Sequence, residues 1–172
     1  MALIRSATQE DASAIAQVHV ESWRTTYRGI VPDEYLASMD IEERTGRWRE
    51  ILKSDGYHFV AEHDGEVVGF LSGGAIREPI GRYDAELYAI YLLAQCQRRG
   101  IGTALLIELA RRLDQDGFQS LAVWVLEANA AADFYKGSGA VRVAHKEREI
   151  AGATVGVAAF GWPNLKALLA SK

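Results

Sequence analysis

The chain has 172 residues, a formal net charge of −4 and one cysteine, Cys96. This length, with 49% hydrophobic and 24% charged residues, predicts one globular domain over residues 1–172. An acidic balance is unlike that of a nucleic-acid-binding protein, and a lone cysteine can neither close an internal disulfide nor build a metal site with any Cys/His spacing present. No apolar run approaches the roughly 20 residues that cross a bilayer. We therefore expect a cytoplasmic protein that binds no nucleic acid, membrane or metal.

The first third of the chain is predicted to be helical after a short extended segment. Apolar residues recur at helical spacing between Thr8 and about Arg28, and Thr8 with Asp11 resembles a capping pair. Pro32 is expected to be the first residue of a short second helix, because proline suits that position. Residues 40–54 place apolar side chains among charges at helical spacing and predict a third helix.

The rest of the chain is predicted to alternate strands and helices. Asp64-Gly65 suits the positive backbone angles of a tight turn, so residues 57–63 and 66–72 are expected to form a hairpin. The following elements are predicted as strand, helix, strand, helix and a terminal strand pair, at residues 84–93, 101–117, 120–126, 129–139, 141–150 and 153–162. This order predicts an α/β (α+β) protein.

The segment Gln97–Thr103, which we call the anion loop, lies between a predicted strand and the next helix. The first amides of a helix have no acceptor inside it, and the helix dipole adds partial positive charge there. Gly100 and Gly102 let a bulky anion reach the backbone, and Arg98 and Arg99 add charge. The loop therefore predicts a cradle for a diphosphate-sized anion, with a plain turn before a helix as the alternative. It matches neither the P-loop nor the dinucleotide pattern.

The same segment resembles a signature of the GNAT superfamily of acyl-CoA-dependent N-acyltransferases. Gln97–Gly102, QRRGIG, is similar to that family's Q/R-x-x-G-x-G/A pattern. The segments around it resemble the family's first helices, central hairpin, fourth strand, and fifth strand with its following helix. The resemblance covers most of the chain and implies a GNAT fold: a mixed, mostly antiparallel sheet of about seven strands, splayed between strands 4 and 5 and flanked by helices. It also implies an acyltransferase with acetyl-CoA as co-substrate, and it leaves a homodimer open.

The resemblance assigns the donor site residue by residue. Backbone groups of Ile90, Tyr91 and Leu92 would pair with the pantetheine arm of acetyl-CoA, although Ile90 and Leu92 could simply be core. Loop residues would hold the pyrophosphate, namely Gln97, Arg98, Arg99, Gly100, Ile101, Gly102 and Thr103. Asn129 matches the family asparagine that ties a helix start to the cofactor arm, and a helix N-cap is its alternative role.

Two residues match catalytic positions of the family. Glu86 matches the carboxylate that serves some members as general base, since an ammonium must lose a proton before it can attack a thioester. A solvated strand-start glutamate, or ordered waters as the base, is the alternative. Tyr135 matches the tyrosine that protonates the departing CoA thiolate, and a half-buried structural tyrosine is its alternative. Asn129 and Tyr135 are six positions apart, where the family usually has seven.

The acceptor is less defined by the sequence than the donor. Trp23, Tyr27 and Tyr88 are expected to line an acceptor pocket, with core packing or a dimer contact as alternatives. The negative net charge favours a cationic amine, of a small molecule or a peptide. The leading hypothesis is an N-acetyltransferase that works by direct attack in a ternary complex. The alternatives are an acyl-CoA-binding sensor or structural module without turnover and, more weakly, a nucleotide-binding domain.

Overall fold

A computed structural model of the chain describes residues 1–171. The strands are β1 Leu3–Ser6, β2 Tyr57–His63, β3 Glu66–Ala75, β4 Ala85–Leu92, β5 Leu121–Leu126, β6 Val141–Ile150 and β7 Ala153–Trp162. The α-helices are α1 Ala12–Thr26, α2 Asp33–Ser38, α3 Ile41–Ile51, α4 Ile101–Gln115, α5 Ala131–Gly137 and α6 Leu165–Ala170. Short 3₁₀ turns lie at Gln9–Asp11 and Ala94–Cys96.

The strands form one seven-stranded sheet in the order β1-β2-β3-β4-β5-β7-β6. The β4–β5 pair is parallel, whereas β1–β2, β5–β7 and β6–β7 are antiparallel. The parallel register joins Ala85–Leu87 to Leu121–Val123, while β4 itself runs on to Leu92. This mixed sheet with its short β4–β5 register confirms the predicted fold class.

The chain divides into two compact units, and both β3 and β4 contribute residues to each. Unit 1 comprises residues 1–72 and 89–106, and unit 2 comprises residues 73–88 and those from 107 onward. A single domain over residues 1–172 stays a prediction.

Unit 1 has a core in which α1 and α3 pack with residues of β2 and β3. The buried core residues are Ala12, Ile15, Ala16, Val18, Trp48, Val60 and Phe70. At the start of α1, Asp11 accepts a hydrogen bond of 2.7 Å from the Thr8 backbone amide, which confirms the predicted capping pair. The Asp11 carboxylate also pairs with Arg5 at 2.8 Å, and this contact lowers the pKa of Asp11. The pair therefore ties β1 to the first helix.

Unit 2 has a smaller apolar cluster under the β3–β4 connection. Ile80, Ala122 and Ala159 are buried together there. Asp84 joins the starts of β4 and β5, because its carboxylate accepts hydrogen bonds of 2.9 Å from the backbone amides of Gln119 and Ser120. Burial acts to raise the pKa of Asp84, but these hydrogen bonds outweigh it and the pKa is lowered.

The structure departs from the sequence predictions at several places. Pro32 is the N-cap of α2 rather than its first residue, because its ψ of 134° is extended. Strand β3 continues beyond Ser72 to Ala75, where a Cβ on Gly74 would lie 2.8 Å from the Tyr88 hydroxyl, so glycine there permits close packing rather than a loop. Helix α6 was not predicted, although its N-cap Asn164 was a signal for it: the side chain accepts from the Ala167 amide.

Among residues 1–171, no helix is both long and apolar enough to span a membrane.

Candidate functional site

The anion loop belongs to unit 1 and leads into α4. The Gly100 carbonyl accepts a hydrogen bond of 3.0 Å from the Ala104 amide, which is the first bond of the helix. The three amides that follow Gly100 therefore have no acceptor within α4. Positive φ angles at Arg98 (58°) and Gly100 (80°) bend the backbone on either side of Arg99. Such turns gather amide groups into a concave anion site, so the local geometry suits the predicted cradle.

Side chains of the anion loop divide into exposed polar groups and one buried anchor. Arg98 and Arg99 are exposed, which is compatible with the predicted role in binding an anion. Gln97 donates through Nε2 to the Leu92 carbonyl at 3.3 Å and so links the loop to the end of β4. Ile101 is buried, so it fixes the start of α4 and offers the site only its amide. Gly102 and Thr103 are half-buried in the first turn of α4.

The end of β4 carries the predicted pantetheine-binding residues, and Ile90, Tyr91 and Leu92 are all half-buried. Leu92 packs against the neighbouring strand, because a Cβ at Gly69 would lie 2.2 Å from its Cδ2. Its carbonyl accepts from Ser22 Oγ as well as from Gln97. Core packing thus accounts for the Leu92 side chain, and the backbone role stays a prediction.

Two predicted acceptor residues, Trp23 of α1 and Tyr27 at its C-cap, have ring centroids 4.6 Å apart. Tyr27 is only 4% exposed, and its hydroxyl shares a hydrogen bond of 3.0 Å with that of Tyr91. Trp23 is half-buried, and its buried indole Nε1 has no hydrogen-bond partner among residues 1–171. The core alternative therefore fits Tyr27 better than Trp23.

His19 lies among these rings and was not among the predicted site residues. Its ring stacks on Tyr91 at 5.5 Å, and Nδ1 accepts a hydrogen bond of 3.1 Å from Trp48 Nε1. Burial, assisted by the charge of Arg44, lowers the pKa of His19 to about 3. The imidazole is therefore neutral at neutral pH, with its proton on Nε2. The spacing of His19, four positions before Trp23, was the signal that could have placed it on this face.

Glu86, the predicted general base, is buried in unit 2, so a solvated glutamate does not describe it. Its side chain is 5% exposed. Oε2 accepts from Arg77 Nη2 at 2.6 Å, and Oε1 accepts from the Arg77 backbone amide at 3.2 Å.

Tyr88, the third predicted acceptor residue, contacts the same arginine as Glu86 does. The Arg77 guanidinium carbon lies 4.0 Å from the centroid of the Tyr88 ring. Burial raises the pKa of Tyr88, although the charge of Arg77 opposes this. We call Arg77, Glu86 and Tyr88 the Arg77 cluster. Arg77 lies in a loop nine positions before Glu86 and was not among the predicted site residues.

Tyr135 and Asn129, also in unit 2, have well-defined surroundings. Tyr135 is 4% exposed, and its ring packs edge-on against Trp162 at 5.8 Å. Asn129 lies two positions before α5, where its Oδ1 accepts a hydrogen bond of 2.9 Å from the Ala131 amide. Asn129 therefore lies outside the helix that carries Tyr135, and the two side chains do not share a helix face. The capping role fits the Asn129 oxygen, and both proposed contacts with the cofactor stay predictions.

The mixed sheet with its short parallel β4–β5 register, and the glycine-containing loop before α4, are features on which the resemblance to the GNAT superfamily rests. Residues 14–140 match the acetyltransferase (GNAT) family, and the chain belongs to that family. It is a GNAT-type acyltransferase, and acetyl-CoA is its co-substrate.

Similar proteins cover most of the chain. The uncharacterised N-acetyltransferase YuaI of Bacillus subtilis is 46% identical over 168 residues, covering 98% of this chain and 96% of the relative. Spermidine N(1)-acetyltransferase of Thermoplasma acidophilum is 29% identical over 144 residues, covering 79% and 86%. The structure of the PaiA N-acetyltransferase of Thermoplasma acidophilum in complex with coenzyme A has a TM-score of 0.69 at 25% identity, covering 92% and 98%. The yncA protein of Salmonella typhimurium, solved with acetyl-CoA, shares the fold with a TM-score of 0.72 at 21% identity, covering 95% and 94%.

Proposed function

We propose that the protein transfers an acetyl group from acetyl-CoA to a primary amine of a small molecule or peptide, by direct attack in a ternary complex. The observation that supports the acceptor site is that the buried Glu86 carboxylate and the face of the Tyr88 ring contact the same cation, the Arg77 guanidinium, since a carboxylate and an aromatic ring both attract an ammonium group. A relative of the chain is a spermidine acetyltransferase, which supports a cationic amine as acceptor.

The anion loop would bind the pyrophosphate of acetyl-CoA. The amides from Arg98 to Thr103 would donate to its oxygens, while the exposed guanidinium groups of Arg98 and Arg99 supply opposing charge. Backbone groups of β4 at Ile90, Tyr91 and Leu92 would pair with the pantetheine arm. Asn129 would add a hydrogen bond from its amide nitrogen, because its oxygen is already used by Ala131.

The chemistry needs one proton acceptor and one group beside the leaving sulfur. Glu86 would take a proton from the ammonium, directly or through water, so that the nitrogen lone pair can attack the thioester carbonyl. Backbone amides of β4 would stabilise the oxyanion that forms. As the C–N bond forms and the C–S bond breaks, the Tyr135 hydroxyl would donate to the departing thiolate. Because the enzyme would hold both substrates in position for direct attack, the reaction would need no covalent enzyme intermediate.

Initial-rate kinetics test this proposal. CoA release is measured while acetyl-CoA and an amine are both varied, with spermidine and peptides bearing a free N-terminus among the amines. We expect amine-dependent CoA release, an acetylated product by mass spectrometry, and intersecting double-reciprocal lines. Acetyl-CoA binding without CoA release for any amine would instead support the sensor, and parallel lines would contradict direct attack.

A further inference from the structure

We propose that, without acceptor, the Arg77 guanidinium occupies the place where the ammonium group of the acceptor binds, and that a cationic acceptor displaces it. This inference rests on the proposed function. It adds Arg77 as a residue that determines acceptor specificity.

The contacts of Arg77 are those that an alkylammonium ion would make. Its Nη2 donates to Glu86 Oε2 at 2.6 Å, and its guanidinium carbon lies 4.0 Å from the Tyr88 ring centroid. A carboxylate that is 5% exposed requires a counter-charge, and Arg77 is the cation in contact with it among residues 1–171. The Arg77 cluster is thus a cation site filled by the protein's own side chain.

The Arg77 side chain can leave this place without moving the loop that carries it. The side chain is 61% exposed, so only its tip is engaged. Other contacts hold the loop: the Ile76 amide donates to the Asp84 carbonyl at 3.0 Å, Ile80 is buried, and Glu78 pairs with Lys146 at 2.8 Å. Displacement would therefore exchange the Arg77 guanidinium for the ammonium group of the acceptor while the loop stays in place.

The two oxygens of Glu86 have separate partners, which gives displacement a chemical consequence. Oε1 would keep its hydrogen bond from the Arg77 backbone amide, because that amide belongs to the fixed loop. Oε2 would lose the guanidinium and receive the ammonium instead. A proton can then pass from nitrogen to Oε2, so that an N–H bond breaks, an O–H bond forms and the lone pair stays on nitrogen. Arg77 thereby masks the oxygen that acts as base until the acceptor arrives.

Masking also selects among acceptors. A ligand that must expel an internal competitor binds more weakly, by the fraction of time that the site is free. A cationic amine recovers both contacts of the expelled guanidinium, whereas a neutral ligand recovers neither. Removal of the Arg77 charge should therefore strengthen the binding of simple ammonium ions.

Binding of propylammonium chloride, measured by NMR titration at constant ionic strength, tests the proposal without turnover. The proteins compared are the wild type, Arg77→Gln, Arg77→Lys, Glu86→Gln and the control Arg82→Gln, which changes an exposed arginine in the same loop. We expect Arg77→Gln to bind at least about fivefold more tightly than the wild type. Arg77→Lys should be intermediate, because lysine keeps the charge and loses the planar fork. Arg82→Gln should match the wild type, and Glu86→Gln should lose most of the binding.

The opposite results overturn the proposal. Equal or weaker binding by Arg77→Gln, no binding by any of the proteins, or undiminished binding by Glu86→Gln would show that Arg77 does not stand in for an acceptor. If Arg77→Gln fails to fold, the rank of Arg77→Lys against the wild type decides. Failure of the proposed function would appear separately, as a lack of amine-dependent CoA release from a protein whose Arg77 cluster still binds propylammonium.

Discussion

The anion loop and the Arg77 cluster are built in opposite ways. The loop offers backbone amides and exposed charges within one short stretch of chain, Gln97–Thr103, whereas the cluster joins the exposed Arg77 of a loop to a buried and a half-buried side chain of a strand, Glu86 and Tyr88. Changes to one side chain of the loop leave its amides in place. A change to one side chain of the cluster leaves a buried charge or ring without its partner. The proposed donor site should therefore tolerate single substitutions better than the proposed acceptor site.

The largest effect is expected in the cluster. Glu86→Gln removes the proposed proton acceptor and should lower kcat/KM by about 100-fold or more, because general base catalysis contributes about 10²–10⁴ in rate. The dissociation constant for acetyl-CoA should stay unchanged. CoA release and calorimetric titration measure the two quantities, with Glu66→Gln, a change at an exposed glutamate, as control. A decrease in kcat/KM of less than tenfold would show that Glu86 is not the general base.

A second buried group predicts a pH effect on stability. The pKa of His19 is lowered from 6.5 to about 3 in the folded protein, so the unfolded chain binds the additional proton below pH 6.5. Stability is therefore full above pH 6.5 and falls as the pH drops towards 3, by about 1.4 kcal/mol per pH unit. Burial lowers the pKa of His58 as well, with the same sign.

Urea unfolding of His19→Gln between pH 7 and 4 checks this effect. Glutamine can still accept a hydrogen bond from Trp48, but it does not titrate. The free energy of unfolding of the variant should therefore depend less on pH, by about 1.4 kcal/mol per pH unit. His63→Gln, at the end of β2, serves as the control. An identical slope in His19→Gln and the wild type would contradict the neutral, buried histidine.

In the loop, the largest effect should come from backbone geometry. Gly100→Ala places a side chain at a φ of 80°, which costs about 1–2 kcal/mol and shifts the amides. The dissociation constant for acetyl-CoA should rise about tenfold. Gly117→Ala is a matched control, because Gly117, just beyond the end of α4, has a φ of 93° and equally open surroundings. Similar losses of affinity in both variants would trace the effect to helix stability instead of anion binding.

The smallest effect belongs to a single loop charge. Arg99→Gln should raise the dissociation constant for acetyl-CoA about threefold, since exposed charge pairs contribute about 0.2–1 kcal/mol each. The difference from the wild type should shrink at high salt. A larger, salt-independent loss would indicate that Arg99 contacts the cofactor out of solvent.

The same contrast explains what the sequence could predict. The bend of the anion loop, the hairpin turn at Asp64-Gly65 and the capping pair of Thr8 and Asp11 are patterns of residues close in sequence, and the structure has all three. The partner of Glu86 could not be predicted, because Arg77 lies in the β3–β4 connection and the fold of that loop decides which side chains it contacts. The burial of His19 depends in the same way on Trp48, which lies on another helix. Local backbone chemistry is readable from sequence, whereas side-chain pairs depend on how the elements pack.

The comparison is tested most directly by measuring kcat at saturating acetyl-CoA and amine for Gly100→Ala and Glu86→Gln side by side. We expect a kcat near that of the wild type for Gly100→Ala, because saturation offsets weaker binding of acetyl-CoA, and a kcat at least about 100-fold lower for Glu86→Gln. Equal losses in the two variants, or a normal kcat in Glu86→Gln, would contradict the division into a backbone-built donor site and a side-chain-built acceptor site.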